Sequence, residues 1–146
     1  MIALLQRVTH ATLRIDDHEY SRIGPGLVVL LGIEKDDDES RADRMLQRLL
    51  SYRVFADDAG RMNRSLKDVA GDLMLVSQFT LAASTDRGLR PSFSAAMPPG
   101  EAELLYDYMV ALALAEPGIG VATGSFGADM QVALENDGPV TFLLRV

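Results

Sequence analysis

The chain has 146 residues, of which 48% are hydrophobic and 24% charged, and its formal net charge is −7. This composition predicts one globular domain, residues 1–146, and excludes a wholly disordered chain. The sequence contains no Cys, no Trp and only 2 His. Thiol catalysis, disulfides and thiolate metal sites are thereby excluded, and we expect neither a metal nor a cofactor.

The sequence contains no apolar run that approaches the roughly 20 residues of a membrane-spanning helix. The longest run, residues 27–33, has the length of a strand. The N-terminus lacks the basic segment and long apolar stretch of a signal peptide. We therefore expect a cytoplasmic protein without a membrane partner. The acidic net charge argues against non-specific coating of nucleic acid, and no DNA partner is expected.

The charges are distributed unevenly along the chain. Residues 34–39 carry a net charge of −4, residues 40–67 carry +4, and residues 101–146 carry −6. The basic middle segment could bind a phosphate backbone locally. On charge alone, an ordinary solvated surface is the favoured interpretation.

The first part of the chain has the apolar patterns of β-strands. These patterns predict strands over 2–8, 11–16 and 18–23, with a tight turn at 16–18 joining the last two. Residues 27–33 form a continuous apolar run, which is typical of a strand covered on both faces.

A helix is predicted from Ser40, its expected N-cap, to about Tyr52. The acids at 36–39 favour the same N-terminus, because negative charge stabilises the start of a helix. Apolar residues recur at helical spacing and define one face. They are Ala42, Met45, Leu46, Leu49 and Leu50.

The remaining elements follow in chain order. We predict a short strand at 54–55, a turn at 57–60, a buried strand at 72–78 that continues or bends over 79–83, a loop at 84–100, a helix at 101–116, strands at 119–124 and 128–135, a hairpin-type turn at 136–138 and a closing strand at 140–146. About eight strands and two helices predict an α+β fold, a mostly antiparallel, barrel-like sheet with two helices packed against it.

Two polar stretches are candidates for a functional site. Ser77-Gln78-Phe79-Thr80 interrupts an apolar strand, and buried polar groups need partners or a ligand. Residues 136–141 contain a Gly-Pro pair, which exposes bare backbone and is a candidate for a cis peptide. Each stretch also has an ordinary explanation, namely hydrogen bonding at a strand end and a plain hairpin turn.

With these stretches, a series of short motifs along almost the whole chain resembles the bacterial D-aminoacyl-tRNA deacylases of the DTD type. The motifs are Met1 to Thr9, Gly32 to Asp37, Tyr52 to Phe55, Gly60 to Asn63, Ser77 to Leu81, Arg90 to Phe93, Phe126 to Met130 and Asn136 to Thr141. Arg61 stands where the family often has Lys, and His10 where Arg or Lys is common. Neither departure lies in the two polar stretches.

The resemblance implies a homodimer that hydrolyses the ester between a D-amino acid and the terminal ribose of tRNA. It places Ser77, Gln78, Phe79 and Thr80 on one wall of the pocket, with Phe79 and Thr80 as the catalytic positions. It brings Gly138 and Pro139, joined by a cis peptide, into the pocket of the other subunit. Arg7 is expected to hold this Gly-Pro loop. The flanking residues Asn136, Asp137, Val140 and Thr141 support the loop, and Phe126, Gly127, Ala128 and Met130 are further substrate-binding residues.

The preference for D substrates that the resemblance implies has a simple physical explanation. Two enantiomers bury equal area, so discrimination needs a clash with the wrong one. Because Gly138 has no Cβ, its carbonyl can approach the substrate closely and exclude an L side chain. Glycine, which has no side chain, is then tolerated, and we expect some action on mischarged glycyl-tRNA such as glycyl-tRNA(Ala).

The hydrolytic step leaves alternatives open. The motifs contain no general base. The resemblance suggests that the 2′-hydroxyl of the terminal ribose assists instead, with backbone N–H groups near Phe79 and Thr80 stabilising the oxyanion, and we favour this mechanism. A Thr80 nucleophile is the alternative. Phe79 or Phe126 is available to stack on the terminal adenosine, although Phe126 is equally expected in the core. A non-catalytic RNA-binding module and a hydrolase of free D-amino acid esters remain as other functions.

Overall fold

A computed structural model describes residues 1–86 and 88–146. Its elements are β1 (Ile2–Ile15), β2 (His18–Ile23), β3 (Gly26–Gly32), α1 (Glu39–Ser51), β4 (Phe55–Ala56), β5 (Met62–Arg64), α2 (Leu66–Val69), β6 (Asp72–Ser77), a 3₁₀ turn (Phe79–Ala82), α3 (Pro99–Leu114), β7 (Gly120–Thr123) and β8 (Gln131–Arg145).

The long strand β1 organises the sheet. Its first half pairs antiparallel with β3, its second half with β2, and its other edge with β8. Strands β6 and β7 extend the sheet from β3 in parallel orientation. They run parallel because α1 lies in the connection from β3 to β6 and α3 in the connection from β6 to β7, and such helical crossovers return the chain in the same direction.

The sheet nearly closes on itself. The Ser21 hydroxyl of β2 donates a hydrogen bond to the Thr123 carbonyl of β7 at 2.8 Å, which joins the two ends of the strand order. The predicted α+β class with a barrel-like sheet is confirmed. The structure of the described residues also contains the short helix α2 and the 3₁₀ turn, which were not predicted. Both are too short for a periodic apolar pattern to reveal them.

The core has two layers. One lies between the sheet and the helices α1 and α3, and the other fills the inside of the curved sheet. The apolar face predicted for α1 is buried as a whole. The N-cap is Asp38 and not Ser40, because the Asp38 carboxylate accepts the Arg41 amide at 2.9 Å. Helix α3 begins at Pro99, earlier than predicted, because Pro at the first helical position needs no N–H partner.

Two predicted breaks in the strands are wrong. The predicted strands 2–8 and 11–16 are one strand, β1, which ends at Ile15, and the hairpin-type turn at 136–138 lies inside β8. Between β1 and β8, the pair Gln6↔Thr141 is followed directly by the pair Val8↔Asn136. One residue of β1, Arg7, therefore lies opposite four residues of β8, 137–140. The Asn-Asp-Gly pattern marks a bulge rather than a reversal of the chain.

None of the helices formed by residues 1–86 and 88–146 is long and apolar enough to cross a membrane.

Candidate active site

A cavity of about 730 Å³ opens beside the carboxyl ends of β3 and β6. Its wall includes seven of the predicted site residues: Ser77, Gln78, Phe79, Phe126, Gly127, Ala128 and Met130. The other lining residues are Leu30, Leu31, Ile33, Val76, Phe93, Ala96, Met97, Pro98, Pro99, Ala102, Asp129 and Val132. Among the described lining residues, Asp129 has the one ionisable side chain. The cavity is therefore largely apolar, with a single carboxylate in its wall.

The chain leaves β6 through a sharp bend that forms one wall. The Gln78 amide donates to the Leu31 carbonyl at 2.7 Å, which is the last hydrogen bond between β6 and β3. The 3₁₀ turn then folds back over Gly32. A Cβ at Gly32 would lie 2.8 Å from Leu81 Cβ and 3.3 Å from the Gln78 carbonyl oxygen. Only glycine permits this approach of the turn to β3.

The bend leaves hydrogen-bond donors free. Neither the Phe79 amide nor the Thr80 amide donates to any group of the described residues. Phe79 lines the cavity and its side chain is 60% exposed. Two adjacent amide groups without an acceptor can stabilise a developing negative charge on oxygen.

Thr80 itself is exposed and lies outside the set that lines the cavity. Its hydroxyl accepts a hydrogen bond from the Gln78 side-chain amide. Within the described part of the chain, no carboxylate, imidazole or amine forms a hydrogen bond with this hydroxyl. The arrangement offers Thr80 no base that would activate it as a nucleophile.

Tyr106 of α3 fastens the two walls of the cavity together. Its buried hydroxyl donates to the Leu75 carbonyl of β6 at 2.8 Å, and it lies 3.4 Å from the Gly124 carbonyl, which precedes Phe126 by two residues. Burial raises the pKa of this hydroxyl, which therefore stays protonated and keeps donating. The rings of Tyr106 and Phe126 are 6.0 Å apart. Phe126 thus packs on the core with one side and lines the cavity with the other.

Gly138 and Pro139 lie on the surface bulge of β8, away from the cavity wall. Their peptide bond is cis, both residues are exposed, and neither is among the described residues that line the cavity of the same chain. Arg7 binds the bulge, because its Nε donates to the Asp137 carbonyl at 3.2 Å and lies 3.0 Å from the Asp137 carboxylate. The guanidinium also donates to the Val54 carbonyl. Asp137 is therefore fixed to β1, and residues 137–139 are exposed to solvent.

The other predicted supporting residues surround the bulge. Asn136 pairs with Val8, and Thr141 pairs with Gln6, so the two flank residues 137–140. The Val140 side chain would lie 2.8 Å from a Cβ at Gly138, where φ is 121°. Glycine is required at position 138 by both conformation and space.

Phe93 and the segment around Ala96 and Met97 line the cavity but were not predicted as site residues. They belong to the region that was predicted only as a loop. The one signal was the Arg90-Pro91-Ser92-Phe93 motif, which carried the family resemblance but no assigned role.

The comparison with known proteins is decisive for the family. The family model described as D-Tyr-tRNA(Tyr) deacylase matches residues 4–145. The chain belongs to the D-aminoacyl-tRNA deacylase family. This membership confirms the resemblance and makes the chain an enzyme, a hydrolase of ester bonds, in place of a non-catalytic binding module. No group of three or more His, Cys, Asp or Glu in residues 1–86 and 88–146 could hold a metal ion.

Individual relatives of this deacylase are similar over their full length. The D-aminoacyl-tRNA deacylase of Cronobacter sakazakii is 56% identical over 146 residues, covering 100% of both chains. That of Stutzerimonas stutzeri is 58% identical over 145 residues, covering 99% of both.

Solved structures share the fold. One described as c-Myc DNA Unwinding Element Binding Protein has a TM-score of 0.94 and 38% identity, covering 100% of this chain and 99% of that one. One described as a probable eukaryotic D-amino acid tRNA deacylase has a TM-score of 0.83 and 18% identity, covering 98% of this chain and 97% of that one, and it supports the fold alone.

Replacing Gly32 with Ala tests how the cavity wall is built. The added Cβ, 2.8 Å from Leu81 Cβ, has to push the 3₁₀ turn away from β3. We expect a loss of about 1–3 kcal/mol in the free energy of unfolding, measured in urea, and a fall in the deacylation rate. The matched control is Gly100→Ala, since a Cβ there meets nothing within 4 Å. A Gly32→Ala protein with the stability and rate of the wild type would contradict this account of the bend.

Proposed function

We propose that this deacylase hydrolyses the ester that joins a D-amino acid to the terminal ribose of tRNA, and that a bare backbone wall excludes the L enantiomer. The carrying observation is the pair of amide groups at Phe79 and Thr80, which have no acceptor among the described residues and lie at the bend that forms one wall of the cavity. Such amides stabilise an oxyanion, and the described residues that line the cavity include one carboxylate, Asp129, but neither an imidazole nor an amine. The proposed activity is a proofreading step of translation and belongs in the cytoplasm.

In the proposed reaction, water attacks the ester carbonyl carbon. The bond from this carbon to the ribose 3′ oxygen breaks, the amino acid leaves as a free acid, and the 3′ oxygen takes up a proton. The Phe79 and Thr80 amides bind the oxyanion that forms on the carbonyl oxygen. The adjacent 2′-hydroxyl of the ribose assists the proton transfer. This assignment is supported by the Thr80 hydroxyl, which accepts from Gln78 and has no base as its partner.

We assign the wall that distinguishes D from L substrates to Gly138 and Pro139 of a second copy of the chain. Both residues are exposed, and Arg7 fixes the Asp137 backbone beside them. Because the pair does not line the cavity of its own chain, it is available to the cavity of a partner. A main-chain carbonyl close to the substrate Cα repels an L side chain and leaves a D side chain free. We therefore propose a homodimer with a shared active site.

Basic side chains of α1 attract the tRNA, in addition to the contacts that the cavity makes with its aminoacylated end. Helix α1 presents Arg44 and Arg48 to solvent and keeps Arg41 partly exposed. These cations suit RNA phosphates, and the net charge of −7 keeps the attraction modest and salt-sensitive.

The wall predicts a specific pattern of substrates. We expect D-Tyr-tRNA and D-Ala-tRNA to be hydrolysed at similar rates, glycyl-tRNA to be hydrolysed as well, and L-Tyr-tRNA to be spared. Arg7→Ala frees the bulge, so the ratio of D-Tyr to L-Tyr hydrolysis should fall by about tenfold or more, equivalent to about 1.4 kcal/mol. Single-turnover deacylation assays measure these rates. Refusal of glycyl-tRNA as firmly as L-Tyr-tRNA would exclude a steric wall.

Ribose assistance and a Thr80 nucleophile give opposite results. We expect Thr80→Ala to retain its rate within about tenfold, whereas a substrate ending in 2′-deoxyadenosine should lose about 10²–10⁴-fold. A dead variant together with normal cleavage of the deoxy substrate would establish the nucleophile instead. Free D-Tyr ethyl ester serves as the third substrate, and its hydrolysis at the rate of D-Tyr-tRNA would identify a general esterase.

The shared active site is tested by cross-linking. The chain has no Cys, so introduced thiols have no background. Ser77→Cys protein is mixed with Pro139→Cys protein and treated with a short bis-maleimide, and a product of twice the chain mass is expected. Ala133→Cys, an exposed position on the same strand as Pro139, replaces the second partner as the control. Equal cross-linking by the control, or a monomer in sedimentation equilibrium, would refute the dimer.

A further inference from the structure

Two aromatic rings lie exposed at the opening of the cavity. Phe79 is 60% exposed and Phe93 is 42% exposed, their ring centroids are 5.1 Å apart, and their planes meet at 50°. Both rings line the cavity. Large aromatic side chains are usually buried, so a pair left open beside a binding cavity indicates contact with a ligand.

The backbone around Phe93 is fixed on both sides. Before it, Ser84 and Ser92 exchange backbone hydrogen bonds of 2.8 and 2.9 Å. After it, the Ala96 amide donates to the Phe93 carbonyl at 3.0 Å, and the Met97 amide donates to the Ile33 carbonyl at 3.1 Å. The ring is therefore held at the rim by the fold and is a prepared surface for stacking.

We propose that Phe93, packed against Phe79, binds the nucleobase that precedes the terminal adenosine of the tRNA. This inference rests on the proposed function. With the ester beside Phe79, the terminal adenosine occupies the inner wall, where the part-buried Phe126 lies. The next nucleotide has to leave through the opening, past the exposed pair. Single-stranded bases stack on such rings, and the described residues that line the cavity include no cation, which favours a base over a phosphate.

The test compares two D-Tyr esters that differ only in the preceding nucleotides, D-Tyr-adenosine and the trinucleotide D-Tyr-CCA. For Phe93→Ala and Phe93→Leu, we expect KM for the trinucleotide to rise on the order of tenfold with kcat unchanged, because base stacking is lost. The rise for D-Tyr-adenosine should stay below about twofold, since that substrate lacks the stacked base. Phe93→Tyr keeps an aromatic ring, so its KM for the trinucleotide should stay close to that of the wild type.

Leu89→Ala is the control, because Leu89 is fully exposed on the same loop and lies outside the cavity wall. Thermal melting checks that each variant is folded, and Phe93→Leu retains the apolar bulk should Phe93→Ala unfold. An equal rise of KM for both substrates would place Phe93 at the terminal nucleoside and overturn the inference. Unchanged KM for both would overturn it as well. If the wild type cleaves neither D-Tyr ester nor D-Tyr-tRNA, the proposed function itself has failed.

Discussion

The close packing of the bend after β6 against Gly32 determines what the cavity can do. The last hydrogen bond of the ladder, from the Gln78 amide to the Leu31 carbonyl, fixes where β6 ends. From that point the chain turns so tightly that the next two amides, those of Phe79 and Thr80, have no acceptor among the described residues. These amides are unpaired because of the path of the backbone. The proposed oxyanion site therefore depends on the sheet and the turn more than on side chains.

The surroundings of this bend keep it in place. Tyr106 reaches from α3 to the Leu75 carbonyl, and the Gly124 amide donates to the same carbonyl at 2.8 Å. One oxygen therefore links β6, α3 and the segment that carries Phe126. Among the described residues that line the cavity, Asp129 has the one ionisable side chain. In the proposed reaction, the proton transfers are assigned to the substrate and to water.

The sequence predicted those helices and strands whose apolar residues recur with a clear period. The buried face of α1 was identified residue by residue, because helical spacing alone specifies it. Ser77 to Phe79 were candidates for a site because polar groups interrupt an apolar strand, and these residues line the cavity. The turn at 136–138 was wrong, since a bulge and a hairpin use the same residues and only pairing with β1 distinguishes them. Phe93 was missed because its place beside Phe79 arises from tertiary contacts.

The bulge opposite Arg7 has a consequence for how such an enzyme can change over generations. The pairs Gln6↔Thr141 and Val8↔Asn136 hold β8 in register on either side of residues 137–140. A bulge is accommodated locally, so the pairs on either side of it keep their register. Changes in the length and outline of this exposed segment therefore put little strain on the rest of the sheet. Over generations the segment can diverge while the scaffold beneath it is inherited unaltered.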